Sequence, residues 1–253
     1  MNVFESKGAF SKFIEFLLTA AFGVERCVRC GLSFSITPLC ENCALELQKY
    51  VPLKSPLRCQ KCGKLLLSES GLCMECRERD GESSLDALFS LHSYRQWKKE
   101  LAFAWKSEGQ RRLSPLFARL LFMAVKELGL EMTPIVPVPP RPGKIKEKGW
   151  DQVDELAKIL RKKRGLIVRD DILLRKSAGQ QKKLSRDERL GAAGAVYDLR
   201  PEFRNLERFQ DIPAEAVLLD DIVTTGATME KCAWLLKSVG VQKVYGLALF
   251  RVD

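Results

Sequence analysis

A chain of 253 residues with 46% hydrophobic content has room for one large domain, or for a small module plus a domain of ordinary size, and this composition excludes a disordered chain. Its net charge of +10 points to anionic partners, but the stretch from Arg141 to Gly191 alone holds 16 Lys and Arg against 8 Asp and Glu, so the basic character is local. Nine cysteines would suit a secreted disulfide scaffold, yet eight fall before residue 77 as four Cys-x-x-Cys pairs, which is metal-ligand spacing.

The first predicted element is the apolar stretch Phe13 to Phe22, preceded by Lys7 and Lys12. It is too short to span a bilayer and is not followed by a clean small-x-small cleavage site. Residues 1–26 are therefore expected to form an amphipathic helix that packs on the body of the protein, with no stable membrane insertion and a cytoplasmic location. Residues 27–78 contain a duplication: Cys27-Val-Arg-Cys30-Gly31 recurs as Cys59-Gln-Lys-Cys62-Gly63, and Cys40-Glu-Asn-Cys43 recurs as Cys73-Met-Glu-Cys76, at offsets of 32 and 33 residues.

Two cysteines two apart close a tight turn around an ion, and a second such pair completes tetrahedral thiolate coordination, for which Zn2+ is the natural occupant. The repeat favours neighbouring pairs, Cys27, Cys30, Cys40 and Cys43 on one ion and Cys59, Cys62, Cys73 and Cys76 on another. The 15 residues between Cys43 and Cys59 also fit a site, so nested or interleaved pairing stays open. Four thiolates leave no position for water or substrate, so the zinc is structural and staples a segment too small to fold on apolar burial. Arg26, Arg29, Lys49, Lys54, Arg58, Lys61 and Lys64 add a basic ribbon surface, which is either ordinary solvated charge or a place for DNA or a partner.

After the polar linker that begins Arg77-Glu-Arg-Asp-Gly-Glu, a second domain is expected over 85–253. It opens with a strand from Leu85 to Tyr94, which carries the only histidine, His92, as a structural residue. Helices follow around Gln96 to Trp105 and Leu113 to Leu128, then a strand from Pro134 to Val138 and a helix from Asp151 to Lys163. Short β-like pieces lie near Ile172 to Leu174 and Ala195 to Tyr197. A strand at Ala216 to Leu219, a helix from about Thr228 to Val239 and a strand from Lys243 to Phe250 complete the domain. Alternating strands and helices predict an α/β fold with a mainly parallel, twisted sheet flanked by helices, in which ligands bind where strands end and helices begin. Met229 and Cys232 are expected on the core side of the helix from about Thr228, and Trp97 and Trp105, near Phe103, on the core side of the helix around Gln96 to Trp105.

The segment Ala216-Val-Leu-Leu-Asp-Asp-Ile-Val-Thr-Thr-Gly-Ala-Thr228 concentrates the chemistry. The apolar strand delivers Asp220 and Asp221, which can accept hydrogen bonds from vicinal hydroxyls, hold a divalent cation through water and stabilise positive charge on a ribose ring. Thr224, Thr225, Gly226, Ala227 and Thr228 then supply hydroxyls and backbone N–H groups at a helix N-terminus, where a phosphate is favoured. A ligand with a ribose at one end and a 5′-phosphate at the other satisfies both halves. A simple helix cap explains Asp220 or Thr228 alone but not the run, and no Walker-type loop is present.

This run closely resembles the phosphoribosyl pyrophosphate (PRPP) motif of type I phosphoribosyltransferases. With the Cys pairs, Val136-Pro137-Val138-Pro139, Lys148-Gly149-Trp150-Asp151-Gln152, and Arg175 with Gln181, Leu184 and Arg189, nearly the whole chain resembles the ComF family. These late-competence proteins join a double zinc ribbon to a phosphoribosyltransferase-like domain. The resemblance implies that Asp220 and Asp221 hold ribose hydroxyls and Mg2+ and form the catalytic pair. It implies that Thr224 to Thr228 hold the 5′-phosphate, that Val138, Pro139, Arg141 and Lys144 face pyrophosphate, and that Arg175 to Arg189 form a mobile cover. Lys148, Trp150, Asp151 and Ala192 stand where the family has Arg, Phe, Asn and Asn. Lys148 loses a bidentate fork, and Asp151 adds negative charge or caps the following helix.

Two functions follow from the resemblance. One is a phosphoribosyltransferase that moves the pentosyl group of PRPP to an acceptor, implicated in DNA uptake and natural transformation. The other is a catalytically inactive PRPP-fold protein that acts as a cytoplasmic single-stranded DNA-binding adaptor, with Lys144, Lys146 and Lys148 as phosphate contacts and Trp150 as a stacking residue. The competence helicase and other uptake proteins are the implied partners.

Overall fold

The computed structural model describes residues 25–35, 37–78, 83–176, 196–204 and 211–252. Most of the helix expected over 1–26 lies outside these residues, as do Gln181, Leu184, Arg189, Ala192 and Ala195. In chain order the described residues form β1 (Glu25–Arg26), β2 (Phe34–Ser35), α1 (Glu41–Gln48), α2 (Met74–Glu78), β3 (Ala87–Ser93), α3 (Gln96–Lys106), α4 (Ser114–Leu128), β4 (Ile135–Pro137), α5 (Lys144–Lys148), α6 (Gln152–Arg164), β5 (Leu173–Arg175), β6 (Tyr197–Leu199), α7 (Pro201–Arg204), β7 (Glu215–Val223), α8 (Ala227–Ser238) and β8 (Lys243–Arg251). None of the described helices is long and apolar enough to cross a membrane.

These residues divide into two compact units. The smaller contains the described residues up to Tyr50 with Gln96–Leu116, and the larger contains Val51–Arg95 with the chain from Phe117 onward. In the smaller unit β1 and β2 pair antiparallel, and the Arg29 guanidinium lies over the Trp97 ring, 4.0 Å from its centroid. Trp105 is buried and its indole N–H donates to the Ser114 hydroxyl at 2.9 Å, so it is a core residue.

The larger unit is built on a four-stranded sheet in the order β3-β8-β7-β4, with every neighbouring pair parallel. Ala216, Val217, Leu218 and Leu219 of β7 are all buried. Four consecutive apolar residues without alternation suit a strand covered on both faces, and each buried leucine contributes about 2 kcal/mol. Helix α6 lies against β4 and β7, and α8 against β7 and β8. Asp151 starts α6 by accepting the N–H groups of Val153 and Asp154, at 2.9 and 3.1 Å, and Gly165 ends it at φ 69°. Helix α8 buries Met229, Cys232, Ala233 and Leu236, the i, i+3, i+4, i+7 face of an amphipathic helix. A separate antiparallel ribbon of β5 and β6 joins the same core through Leu173, Tyr197 and Leu199.

Candidate functional site

The eight paired cysteines form two clusters, Cys27, Cys30, Cys40 and Cys43, and Cys59, Cys62, Cys73 and Cys76, with each set of four sulfurs within 4.8 Å of one another. This is the neighbouring arrangement of the pairs. Zn–S bonds of about 2.3 Å place tetrahedral sulfurs roughly 3.8 Å apart, and the Cys30–Cys40 and Cys62–Cys73 separations are 4.0 and 3.7 Å. Both clusters therefore fit a structural zinc ion. The backbone prepares them for it. The Leu32 N–H, with lesser help from that of Ser33, pulls the Cys30 thiol down to about 6, whereas burial pushes Cys43 up to about 12. Four crowded sulfurs cannot all ionise alone, and a dication removes that conflict.

The second cluster is built into the sheet unit. Its turn lies so close to β3 that a Cβ on Gly63 would stand 2.2 Å from the Leu88 carbonyl oxygen, and the Leu88 N–H donates to the Lys61 carbonyl at 3.2 Å. Arg58, 4% exposed, spreads its guanidinium over the carbonyls of Val51, Pro52, Gly63 and Ser90. Arg251 at the end of β8 is also buried and donates to the Cys62 carbonyl at 3.0 Å. Arg58, expected on the basic ribbon surface, is thus an interior residue instead, and Arg251 carries no sequence signal, because each is defined by carbonyls from distant segments.

At the same C-terminal ends of the strands, β4 stops at Pro137, opposite Leu219, and the Val138 N–H donates to the Leu219 carbonyl at 2.9 Å. The Val138-Pro139 turn therefore leaves the sheet beside Asp220. Strand β7 continues past the acidic pair to Val223, because β8 pairs with it as far as Arg251. The expected strand end at Leu219 is thus the end of its ladder with β4. Because side chains alternate along a strand, Asp220 and Asp221 point to opposite faces of the sheet. Asp220 is half-buried and accepts the Asp221 N–H at 2.8 Å; Asp221 is buried and accepts the Ile222 N–H at 2.7 Å.

Thr224 to Thr228 follow as a tight turn, with Gly226 at φ 82° immediately before the first turn of α8. The Thr225 hydroxyl accepts the Ala227 N–H at 3.4 Å. A cleft of about 240 Å³ is lined by Asp220, Thr224, Thr225, Gly226, Ala227 and Thr228 among others. The structure thus brings the acidic residue and the hydroxyl turn to one cleft.

Tyr197 of β6 packs in the core beneath α8, and nothing in the local sequence marks it. Burial raises its phenol above the ordinary value, opposed by the Arg175 guanidinium, which lies 5.4 Å from the ring centroid. The other expected cations are already engaged. Lys144 pairs with the buried Asp151 carboxylate and donates to Gln152 at 2.6 Å, while Arg141 pairs with exposed Glu147. Asp151 is thus both the cap of α6 and the partner of Lys144. Trp150, expected as a stacking residue, is buried at 8% exposure and offers no open ring face. His92 is buried on β3 with its ring 6.0 Å from that of Phe250, in the core and away from the turn.

No protein-family model matches the chain. Two curated proteins are similar along most of it. Over 235 residues the chain is 27% identical to Competence protein F of Haemophilus influenzae, covering 88% of this chain and 96% of that protein. Over 213 residues it is 26% identical to Competence protein ComFC of Streptococcus pneumoniae, covering 84% and 87%.

Proposed function

We propose that the chain is a competence-related protein of the ComF family, as its similarity to the two competence proteins supports, and that its sheet unit is a type I phosphoribosyltransferase-like domain that binds PRPP with Mg2+. The observation that carries this reading is the single cleft shared by the Asp220 carboxylate and the Thr224–Thr228 turn. In it the 5′-phosphate takes the hydroxyls and N–H groups at the start of α8, where the helix dipole also favours an anion. Asp220 takes the ribose hydroxyls and the magnesium hydration shell. Asp221 works from the opposite face, where its carboxylate orders the backbone through the Ile222 N–H. The two four-cysteine centres hold structural zinc.

The proposed chemistry is pentosyl transfer: the C1–pyrophosphate bond of PRPP breaks as an acceptor nucleophile bonds to C1, with positive charge on the ring facing Asp220. Arg141 and Lys144 are the cations offered to pyrophosphate, and each must first exchange its carboxylate partner for the ligand. The DNA-binding alternative draws less support. Trp150 is buried, and among the described residues Lys158, Arg161, Arg169 and Lys176 of the basic stretch also hold carboxylates.

Equilibrium dialysis of the zinc-loaded full chain against PRPP tests the reading. Saturable binding is expected only with Mg2+, weakened about tenfold or more in Asp220→Asn, as for loss of a charged hydrogen-bond acceptor, and less in Asp221→Asn. Binding that ignores both Mg2+ and the Asp220 change would remove the reading.

A further inference from the structure

Behind the turn lies a second, small cleft. Lys61 and Cys62 of the second four-cysteine centre line it, as do Thr225, Gly226 and Glu230 from the start of α8, together with Arg251. The metal-binding knuckle and the phosphate turn are thus opposite walls of one small space. Two buried or half-buried charged side chains cross from one wall to the other.

Arg251 is the first. It is 5% exposed, ends β8, and lies in register with Val223, the last residue of β7 before the turn. Its guanidinium leaves the strand to donate to the Cys62 carbonyl at 3.0 Å. Its Nε is buried with no hydrogen-bond partner among the described residues, so the Cys62 carbonyl is an important part of its solvation. Glu230 is the second. Its N–H closes the first turn of α8 on the Gly226 carbonyl at 2.9 Å, and its carboxylate is held by the Ser83 hydroxyl and by the Ser84 N–H at 2.9 Å. Those serines lie seven and eight residues beyond Cys76.

The order of the knuckle comes from the ion. Four thiolates around a dication carry a net charge of −2, which a buried guanidinium alongside offsets. Without an ion no bond gathers the four sulfurs to one point, the Cys62 carbonyl loses its fixed position, and Arg251 loses both its acceptor and its counter-charge.

We propose that the second four-cysteine centre is coupled to the phosphate turn: an ion at Cys59, Cys62, Cys73 and Cys76 holds Arg251 and Glu230 where they fix Thr224 to Thr228 for an anionic ligand. Both are positioning residues that touch neither ligand nor reacting atoms. The first centre has no part in this. The coupling rests on the phosphoribosyl reading of the turn. By linkage it runs in both directions, so ligand at the turn must tighten metal at the second centre by the factor by which metal tightens ligand.

The test is zinc affinity, measured by competition with a chelating chromophore, on the full chain loaded with two equivalents, with and without saturating PRPP and Mg2+. One equivalent is expected to be held about fivefold more tightly or better in the presence of PRPP, the other equally in both conditions. Glu230→Gln should keep both equivalents and bind PRPP but lose most of that gain; Ser83→Ala, a smaller cut in the same clamp, serves if that variant fails to fold. PRPP binding with unchanged affinity at both centres, or with an equal gain at both, overturns the coupling while leaving the ligand site intact. Absence of PRPP binding overturns both.

Discussion

A Cβ added to Gly31, in the turn of the first four-cysteine centre, meets nothing within 4 Å, whereas one added to Gly63, at the matching place in the second, runs into the Leu88 carbonyl at 2.2 Å. Around the first centre Leu32 is 86% exposed and Cys30 and Cys40 are half-buried; around the second all four cysteines are buried, and Arg58 and Arg251 join its turn to β3 and β8. Two copies of one motif thus do different work. Thiol spacing determines that each can hold an ion, but the residues outside the motif determine what the ion supports. The first centre staples its own loop, and the second is a structural part of the sheet that carries the candidate ligand site.

The difference is open to direct attack, and the largest effect comes from the metals. Cys62→Ser should destabilise the sheet unit by about 5 kcal/mol or more, since metal binding there is folding free energy. Cys30→Ser should leave amide exchange protection in β7 and β8 unchanged. Equal loss of sheet protection in both variants would abolish the contrast.

The glycines sharpen it at a smaller scale. Gly63→Ala combines a left-handed φ of 72° with a backbone collision and is expected to cost about 3 kcal/mol. Gly31→Ala faces only its φ of 64° and should cost about 1 kcal/mol. Denaturant midpoints at constant slope would measure both.

The smallest effect lies at Asp86, where the chain leaves the second ribbon and enters the sheet. Burial acts to raise its carboxyl, but the Val244 N–H at 2.8 Å and the Lys237 ammonium at 2.9 Å outweigh it and hold the group below its ordinary 3.8. A depressed carboxyl stabilises the fold above its unfolded value, and that contribution disappears as pH falls through the folded value. Asp86 is partly exposed, so Asp86→Asn should cost only about 0.5 kcal/mol at pH 7, and native and variant stabilities should converge as the pH is taken below the ordinary 3.8. A gap that persists in acid would assign the effect to shape rather than charge.

Local chemistry made much of this molecule readable in its sequence. The Cys spacing anticipated the two four-sulfur clusters. The buried run before Asp220 and the hydroxyl turn after it anticipated a strand, a cleft and a helix. The limit of β7 was misjudged because two aspartates interrupt the apolar run, and only pairing with β8 carries the strand on to Val223. Arg141 and Lys144 looked like open cations because Glu147 and Asp151 reach them only through the compact α5 turn between Gly143 and Gly149. Tyr197, Glu230 and Arg251 left no local signal. Arg251 meets Cys62 across 189 residues and Ser83 meets Glu230 across 147, and such contacts are set by the order of strands in the sheet rather than by any window of sequence.

The measurement that tests the central claim most directly is residue-resolved amide hydrogen exchange of the zinc-loaded full chain, with and without PRPP and Mg2+. A ligand seated at the β7 edge predicts slowed exchange at Gly226, Ala227, Thr228 and Met229, with little change in the loop of the first four-cysteine centre. Saturating ligand that leaves those four amides unchanged would contradict the account.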